Sequence, residues 1–181
     1  MLIHIIIIAI IILLFLIVFT YFNTYNKFQD YIIKINEVEN KINDALNNKY
    51  DIILKLNNNI KEKIKTKKNL VDDLSELKKD EIDDFKLDEI LTEAMDKVNF
   101  VKENYSSLDD DKEVDELLIQ IEDTDESLRA CKKYYNETIT SYNELFNKFP
   151  YNIVSKILKY EKKEEFKNNK NENKKEMEII W

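Results

Sequence analysis

Apolar residues fill nearly every position from Leu2 to Phe22, and beyond this run they recur only at intervals of three and four residues. A run of this length matches a bilayer, since about 20 helical residues rising about 1.5 Å each span a hydrocarbon core of roughly 30 Å. We therefore predict a single transmembrane anchor over residues 1–24. Tyr21, Phe22 and Tyr25 lie at the end of the run, at the position of an interfacial aromatic belt.

The anchor is expected to be retained and to set the orientation of the protein. Neither a positively charged start nor a small-residue cleavage site surrounds it, so it does not resemble a cleavable signal peptide. The first side-chain cations, Lys27 and Lys34, come just after the run. Because positive charge favours the inner side of a membrane, we predict a single-pass protein of the cell membrane with a short outer N-terminus and a cytoplasmic domain.

Three stretches beyond the anchor carry apolar residues at helical spacing, and each alone would leave an apolar stripe in water. They must pack on one another, as in a helical bundle or coiled coil. This predicts an all-α fold: the transmembrane helix followed by an antiparallel up-and-down bundle of about four long helices. The stripes are Phe28, Ile32, Ile35, Val38, Ile42, Leu46, Ile53, Leu56, Ile60 and Ile64; Leu87, Ile90, Leu91, Ala94, Val98, Val101 and Tyr105; and Val114, Leu117, Leu118, Ile121, Leu128, Cys131, Tyr135, Ile139, Tyr142, Leu145, Phe146 and Phe149.

Helix boundaries have few markers, because the chain has no glycine and a single proline. We expect breaks at Asn47 and Asn48, over residues 80–84, over residues 106–111 and at Pro150. Either Asp110 or Asp111 can cap the helix of the third stripe. The apolar phase continues through Asn47, so the sequence leaves open whether the first stripe is one helix or two.

The bundle is predicted over residues 25–160, and its last piece is a short amphipathic helix over residues 152–160. Residues 161–181 are charged, poor in apolar residues and predicted to form a disordered tail. The short helix carries Ile153, Val154, Ile157 and Leu158 on one side, with Lys156 and Lys159 on the other as candidate contacts to anionic lipid.

Composition excludes several kinds of chemistry. The net charge is −8, with an acidic excess between Asp72 and Glu126 and no basic face with interleaved aromatic residues, which argues against a nucleic-acid partner. The one histidine, His4, lies in the apolar run, and the one cysteine, Cys131, is spaced like a small core residue. Since zinc and di-iron bundle sites use several such ligands, we expect no metal, no cofactor, no catalytic residue and no enzymatic activity.

Two Tyr-Asn pairs form the one patterned polar feature. Tyr135-Asn136 and Tyr142-Asn143 stand seven residues apart and so repeat on one helix face, and Tyr25-Asn26 begins the first stripe. In one interpretation the tyrosines pack in the core while the asparagines hydrogen-bond between helices and fix their register. In the other, the Tyr-Asn face is the groove of a small-ligand sensor.

The same residues carry a resemblance to the LemA family. The run from Arg129 to Ser155 resembles that family's C-terminal signature, in which two Tyr-Asn pairs lead into Phe-Pro and an apolar segment. The family's tandem arginines are replaced around Asn48 and Lys49, and its glycine after the Phe-Pro segment is Lys159. The similar positions are Tyr25, Asn26, Asp51, Ile52, Ile53, Tyr105, Leu108, Thr124, Tyr135, Asn136, Tyr142, Asn143, Phe149, Pro150, Asn152 and Ile153.

The resemblance implies a helical bundle on an N-terminal membrane helix, with the domain inside the cell and no established enzymatic activity. With the composition, this favours an interaction or scaffold protein that binds a protein partner at the cytoplasmic membrane surface through its acidic surface or its tail. Whether that partner is another protein or a second copy of the chain stays open at this point.

Overall fold

The computed structural model describes residues 1–65, 74, 82–108 and 111–166. Four α-helices lie in these residues: α1 (Leu2–Lys63), α2 (Asp84–Asn104), α3 (Lys112–Leu145) and α4 (Tyr151–Leu158). A 3₁₀ turn over Ser106–Leu108 separates α2 from α3. The described chain contains no strand, and the predicted all-α fold is confirmed, with three long helices and one short one.

The described residues divide into two compact units. The terminal unit holds Met1–Glu37 and the described chain from Tyr134 on, and the central unit holds Val38–Lys133. Helices α1 and α3 each contribute a stretch to both units.

The first stripe forms one helix and not two, because α1 runs unbroken through Asn47 and Asn48. It contains neither proline nor glycine, and its apolar phase never shifts. Near its N-terminus an 18-residue window is long and apolar enough to cross a membrane, and none of that window is buried. The fully buried apolar residues of α1 are Phe28, Ile35, Ile42, Leu46, Ile53, Leu56 and Ile60.

In the central unit, ion pairs show the relative directions of the helices. Lys49 pairs with Asp125 and Lys63 with Asp111, so α1 and α3 are antiparallel. The pairs Asp88–Lys132 and Lys102–Asp115 make α2 antiparallel to α3 as well. Helices α1 and α2 therefore run parallel to each other, and both run antiparallel to α3. Leu74 lies between two stretches outside the described residues; it is buried, and its carbonyl oxygen accepts the Tyr50 hydroxyl at 2.9 Å.

Aspartates cap the N-termini of α2 and α3, at two of the boundaries expected from acidic residues. Asp83 accepts the backbone N–H of Lys86 at 3.0 Å and caps α2. Asp111 Oδ1 accepts the backbone N–H groups of Glu113 and Val114 at 3.1 and 3.2 Å, which confirms one of the two candidate caps of α3. The other candidate, Asp110, lies outside the described residues.

Asp111 also gives the fold a pH dependence. Its hydrogen bonds, first from Lys63 and then from the start of α3, hold the pKa of the carboxyl below its ordinary 3.8. For an acid with a lowered folded pKa, the stabilisation is present above the ordinary value and is lost as pH falls through the folded value. Asp111→Asn keeps a cap acceptor but removes the charge. We expect its Tm to lie below that of the native chain at neutral pH, with the gap closing below pH 3.8. A gap that stays constant in a pH series of melting curves would contradict this.

The terminal unit is centred on Phe28, whose ring is fully buried. Four aromatic rings surround it at centroid distances of 5.0 to 6.2 Å. They belong to Tyr142, Phe146, Tyr151 and Tyr160, and so join the end of α3, the start of α4 and the chain after α4 to α1 just beyond its apolar run.

Helix α4 ends in a turn that a glycine would suit. Lys159 takes a left-handed conformation with φ 54°, which costs a residue with a Cβ about 1 kcal/mol or more. Its backbone N–H bonds to the Lys156 carbonyl at 3.4 Å, and the Tyr160 N–H bonds to the Ser155 carbonyl at 2.9 Å. Lys159 therefore carries a strain that a glycine at this position would avoid.

Three predicted core positions are corrected by the structure. Phe149 is 79% exposed and Tyr105 is 46% exposed, because each lies in a turn where the helical phase of its stripe has ended. Cys131 is only partly buried and lines an open depression of the central unit with Lys41 and Asp44.

Candidate functional site

The Tyr-Asn face of α3 holds an extended stretch of the chain's own backbone. Tyr135 and Tyr142 are 3% exposed and pack inward, as one interpretation of the sequence predicted. The two asparagines bond to main-chain atoms of residues 161–166, which follow α4 and form no helix or strand. The asparagines therefore bond to this segment, and not to a neighbouring helix as that interpretation predicted.

Each asparagine holds one residue by both its N–H and its carbonyl group. Asn143 donates to the Lys163 carbonyl at 2.8 Å and accepts the Lys163 N–H at 3.0 Å. Asn136 does the same for Phe166, at 2.9 and 2.8 Å. Tyr142 adds a fifth bond, from its hydroxyl to the Glu161 carbonyl at 3.0 Å. We call Asn136, Asn143 and Tyr142 the asparagine clasp, and residues 161–166 the clasped segment.

The spacing of the clasp fits an extended peptide. Seven helical residues separate Asn136 from Asn143, a rise of about 10.5 Å at about 1.5 Å per residue. The residues that they hold, Phe166 and Lys163, are three apart, which spans about 10 Å in an extended chain. The two lengths agree, so both paired contacts can be made at once. Because the later asparagine of α3 holds the earlier residue of the segment, the segment runs antiparallel to α3.

The clasped segment buries one side chain deeply. Phe166 is 5% exposed and packs edge-on against Tyr135, with ring centroids 5.2 Å apart. The side chains of Glu161, Lys162, Glu164 and Glu165 are exposed. Thr140 also reaches the segment, donating to Glu165 Oε1 at 2.6 Å. The segment is therefore held by its backbone through the clasp, by the Phe166 ring against Tyr135, and by one side-chain bond from Thr140.

The protonation of Tyr142 suits its role as a donor. Burial raises the pKa of its phenol, and the neighbouring Tyr160 phenol raises it further. The hydroxyl therefore keeps its proton at neutral pH and donates it to the Glu161 carbonyl. Tyr160 is held in turn by a hydrogen bond from the Gln29 amide to its hydroxyl at 2.7 Å.

The predicted start of the disordered tail, at residue 161, lies too early in the sequence. Residues 161–166, assigned from the sequence to a disordered tail, are held along α3, because their backbone groups find partners in the two asparagines. Residues 167–181 lie outside the described residues. A signal for the segment is present in the sequence: Phe166 is the one apolar residue among residues 161–176.

A second notable surface is the outer side of α4. Ile153 and Ile157 are 51% and 64% exposed and lie on the same side of the helix, and Phe149 is exposed just before it. We call these three residues the α4 apolar face. Val154 is buried instead, so the apolar residues that the sequence grouped on one side divide into an inward and an outward set. Lys156 and Lys159 are exposed, as expected.

The remaining predicted site residues make none of the five hydrogen bonds of the clasp. Tyr25 is 36% exposed and stacks on Tyr21, with centroids 6.5 Å apart, and Asn26 is exposed. Pro150 immediately precedes α4. Asp51 is an exposed residue of the central unit.

In the central unit, Asn48 and Lys49 contact consecutive residues of α3. Asn48 donates to Thr124 Oγ1 at 3.3 Å, and Lys49 reaches Asp125 at 2.6 Å. Lys49 is 4% exposed, so its ammonium group is buried beside the Asp125 carboxylate. Among the residues that the structure describes, no three His, Cys, Asp or Glu side chains are grouped so as to hold a metal ion.

Taken together, the fold and these surfaces define an all-helical protein with an N-terminal apolar helix and a backbone-binding clasp. The sequence pattern of the LemA family covers residues 25–180, from the end of the apolar run through the clasp and the clasped segment. The chain belongs to the LemA family, as its motifs predicted. Comparison with curated proteins and with solved structures returns no match.

Proposed function

We propose that this protein is a membrane-anchored interaction module: the apolar part of α1 spans the cell membrane, α4 lies on the bilayer surface, and the helical domain binds a protein partner there. The observation that carries this proposal is the exposed α4 apolar face, formed by Phe149, Ile153 and Ile157 close to the end of the apolar run. A helix that exposes apolar residues beside lysines is typical of one lying in the interface of a membrane.

The distances support this placement of α4. Phe28 follows Phe22 by six residues, a rise of about 9 Å at about 1.5 Å per residue. The Tyr151 ring at the start of α4 lies 6.2 Å from that of Phe28. The head-group layer is roughly 5–8 Å deep on each side of a bilayer, so α4 stands at its outer edge when the apolar run spans the core. Lys156 and Lys159 then face anionic head groups.

The proposed orientation follows from the first cations. Lys27 and Lys34 stand directly after the apolar run, which favours a cytoplasmic domain. The domain is proposed to act by binding and not by catalysis, since His4 lies within the apolar run and leaves the domain without a histidine. Its acidic surface is then open to a protein partner or to a second copy of the chain.

The alternative of a small-ligand sensor on the Tyr-Asn face finds less support. The amide groups of Asn136 and Asn143 already bond to Phe166 and Lys163, and Tyr135 packs against the Phe166 ring. A small ligand would have to displace this segment before it reached any polar group of the face.

A depth measurement tests the proposed position of α4 in the full chain. We would label Ile153→Cys with an environment-sensitive fluorophore, in a Cys131→Ser background, after reconstitution in vesicles of phosphatidylcholine and phosphatidylglycerol. We expect blue-shifted emission and quenching by nitroxide-labelled lipid, because the α4 apolar face inserts in the interface. Lys156→Glu with Lys159→Glu should weaken the quenching in these vesicles, since each lysine near an anionic surface contributes about 1 kcal/mol.

Tyr134→Cys is the matched control, since Tyr134 is 48% exposed and lies on α3 of the same unit, away from α4. Its label should stay in water, and the charge reversal should not affect it. If the label at position 153 is quenched no more than the label at position 134, α4 does not lie on the membrane.

A further inference from the structure

The asparagine clasp makes the contacts of a peptide-binding site. Its five hydrogen bonds to the clasped segment all end on main-chain atoms. Every peptide carries these atoms, so the bonds specify an extended conformation and not a sequence. Specificity comes from the position that Phe166 occupies, where an aromatic ring packs edge-on against Tyr135.

We propose that the asparagine clasp binds an extended segment of a partner protein, and that residues 161–166 occupy it as an intramolecular substitute. The partner segment carries an aromatic residue three positions after the residue that Asn143 holds, in the place of Phe166. This proposal rests on the proposed interaction function and names the chemistry of the partner.

The contacts of the clasped segment allow such an exchange. The side chains of Glu161, Lys162, Glu164 and Glu165 stay exposed. The contacts that hold the segment are its backbone bonds, the Phe166 ring and one exposed side-chain bond, from Thr140 to Glu165. Backbone recognition of this kind gives affinity to any extended peptide, while pockets for single side chains give specificity.

Competition between the clasped segment and a partner segment also restricts where the partner can be located. The native segment follows α4 directly, and a tethered ligand competes at a high effective concentration. A partner segment displaces it efficiently only if the partner is itself held nearby. A partner in the same membrane meets this condition, since the clasp and the apolar run belong to one compact unit.

Peptide binding to the full chain in lipid nanodiscs tests the proposal. The probe is a fluorescent peptide with blocked ends and the sequence of residues 161–168, EKKEEFKN. The Phe166→Ala chain has a weakened internal competitor. We expect it to bind the probe saturably and about tenfold or more tightly than the native chain, because the internal segment competes in the latter. Adding Asn136→Leu should abolish binding, whereas adding Asn147→Leu, at an exposed asparagine of the same unit, should not.

A second measurement uses the native chain alone and does not depend on the folding of a variant. Probe at a concentration above the effective concentration of the tethered segment should increase hydrogen exchange at the Lys163 and Phe166 amides, which the clasp protects. A probe with alanine in place of its phenylalanine should not. No saturable binding to Phe166→Ala, or binding that survives Asn136→Leu, would overturn the proposal. Self-association of the native chain that Asn136→Leu abolishes would assign the clasp to a second copy and equally overturn it. None of these outcomes depends on whether α4 lies on lipid, so the two proposals fail separately.

Discussion

Phe28→Ala is expected to lower the free energy of unfolding by about 3–5 kcal/mol, the range for truncating a fully buried phenylalanine. The ring is 0% exposed and is the shared contact of four aromatic rings from α3, α4 and the chain after α4. Without it these rings lose their common partner, and the cavity cannot be filled by small shifts because the neighbours are rigid rings. Urea denaturation followed by far-UV circular dichroism in detergent micelles measures the change.

The matched control is Phe100→Ala, which removes the same group from a position that is 67% exposed. It should change the free energy of unfolding by no more than about 0.5 kcal/mol, as is usual for surface positions. Hydrogen exchange should further localise the loss in Phe28→Ala to α4 and the clasped segment. Equal denaturation midpoints for the two variants would refute the central role given to Phe28.

The sequence predicted those parts of the fold that depend on local pattern. The phase that buries Phe28 and Ile139 is visible in the three- and four-residue spacing, and the cap at Asp111 in the acidic residues before an apolar stripe. The continuity of α1 was visible only as an alternative, because asparagines weaken a helix without ending one. The structure decides for one helix, since the buried phase continues from Leu46 to Ile53.

The parts that depend on long-range partners could not be predicted. Asn136 and Phe166 are 30 residues apart, and nothing in an asparagine's neighbourhood indicates which backbone its amide will bind. The two sides of α4 pose a different difficulty. Ile153 and Ile157 lie roughly 100° around the helix from Val154 and Leu158, so the short helix carries two adjacent apolar stripes. Only the packing of Val154 shows which stripe faces inward.

The ion pair between Lys49 and Asp125 supports the second large prediction. The Lys49 side chain is 6% exposed and that of Asp125 is 30% exposed, with the nitrogen and oxygen 2.6 Å apart. Asp125→Ala leaves a buried ammonium group without its carboxylate. Removing one partner of a fully buried pair costs about 3–5 kcal/mol, and the partial exposure of Asp125 admits some water, so we expect a loss of about 2–3 kcal/mol in urea denaturation.

Two further variants separate the destabilisation caused by an unpaired buried charge from the net contribution of the ion pair to the free energy of unfolding. Replacing both partners, with Lys49→Met and Asp125→Leu, should recover most of the stability, because well-packed apolar residues often replace a buried ion pair without loss. Glu144→Ala breaks the exposed pair with Lys148 and should leave the denaturation midpoint unchanged within error. If the double variant is as unstable as Asp125→Ala alone, the ion pair itself stabilises the central unit.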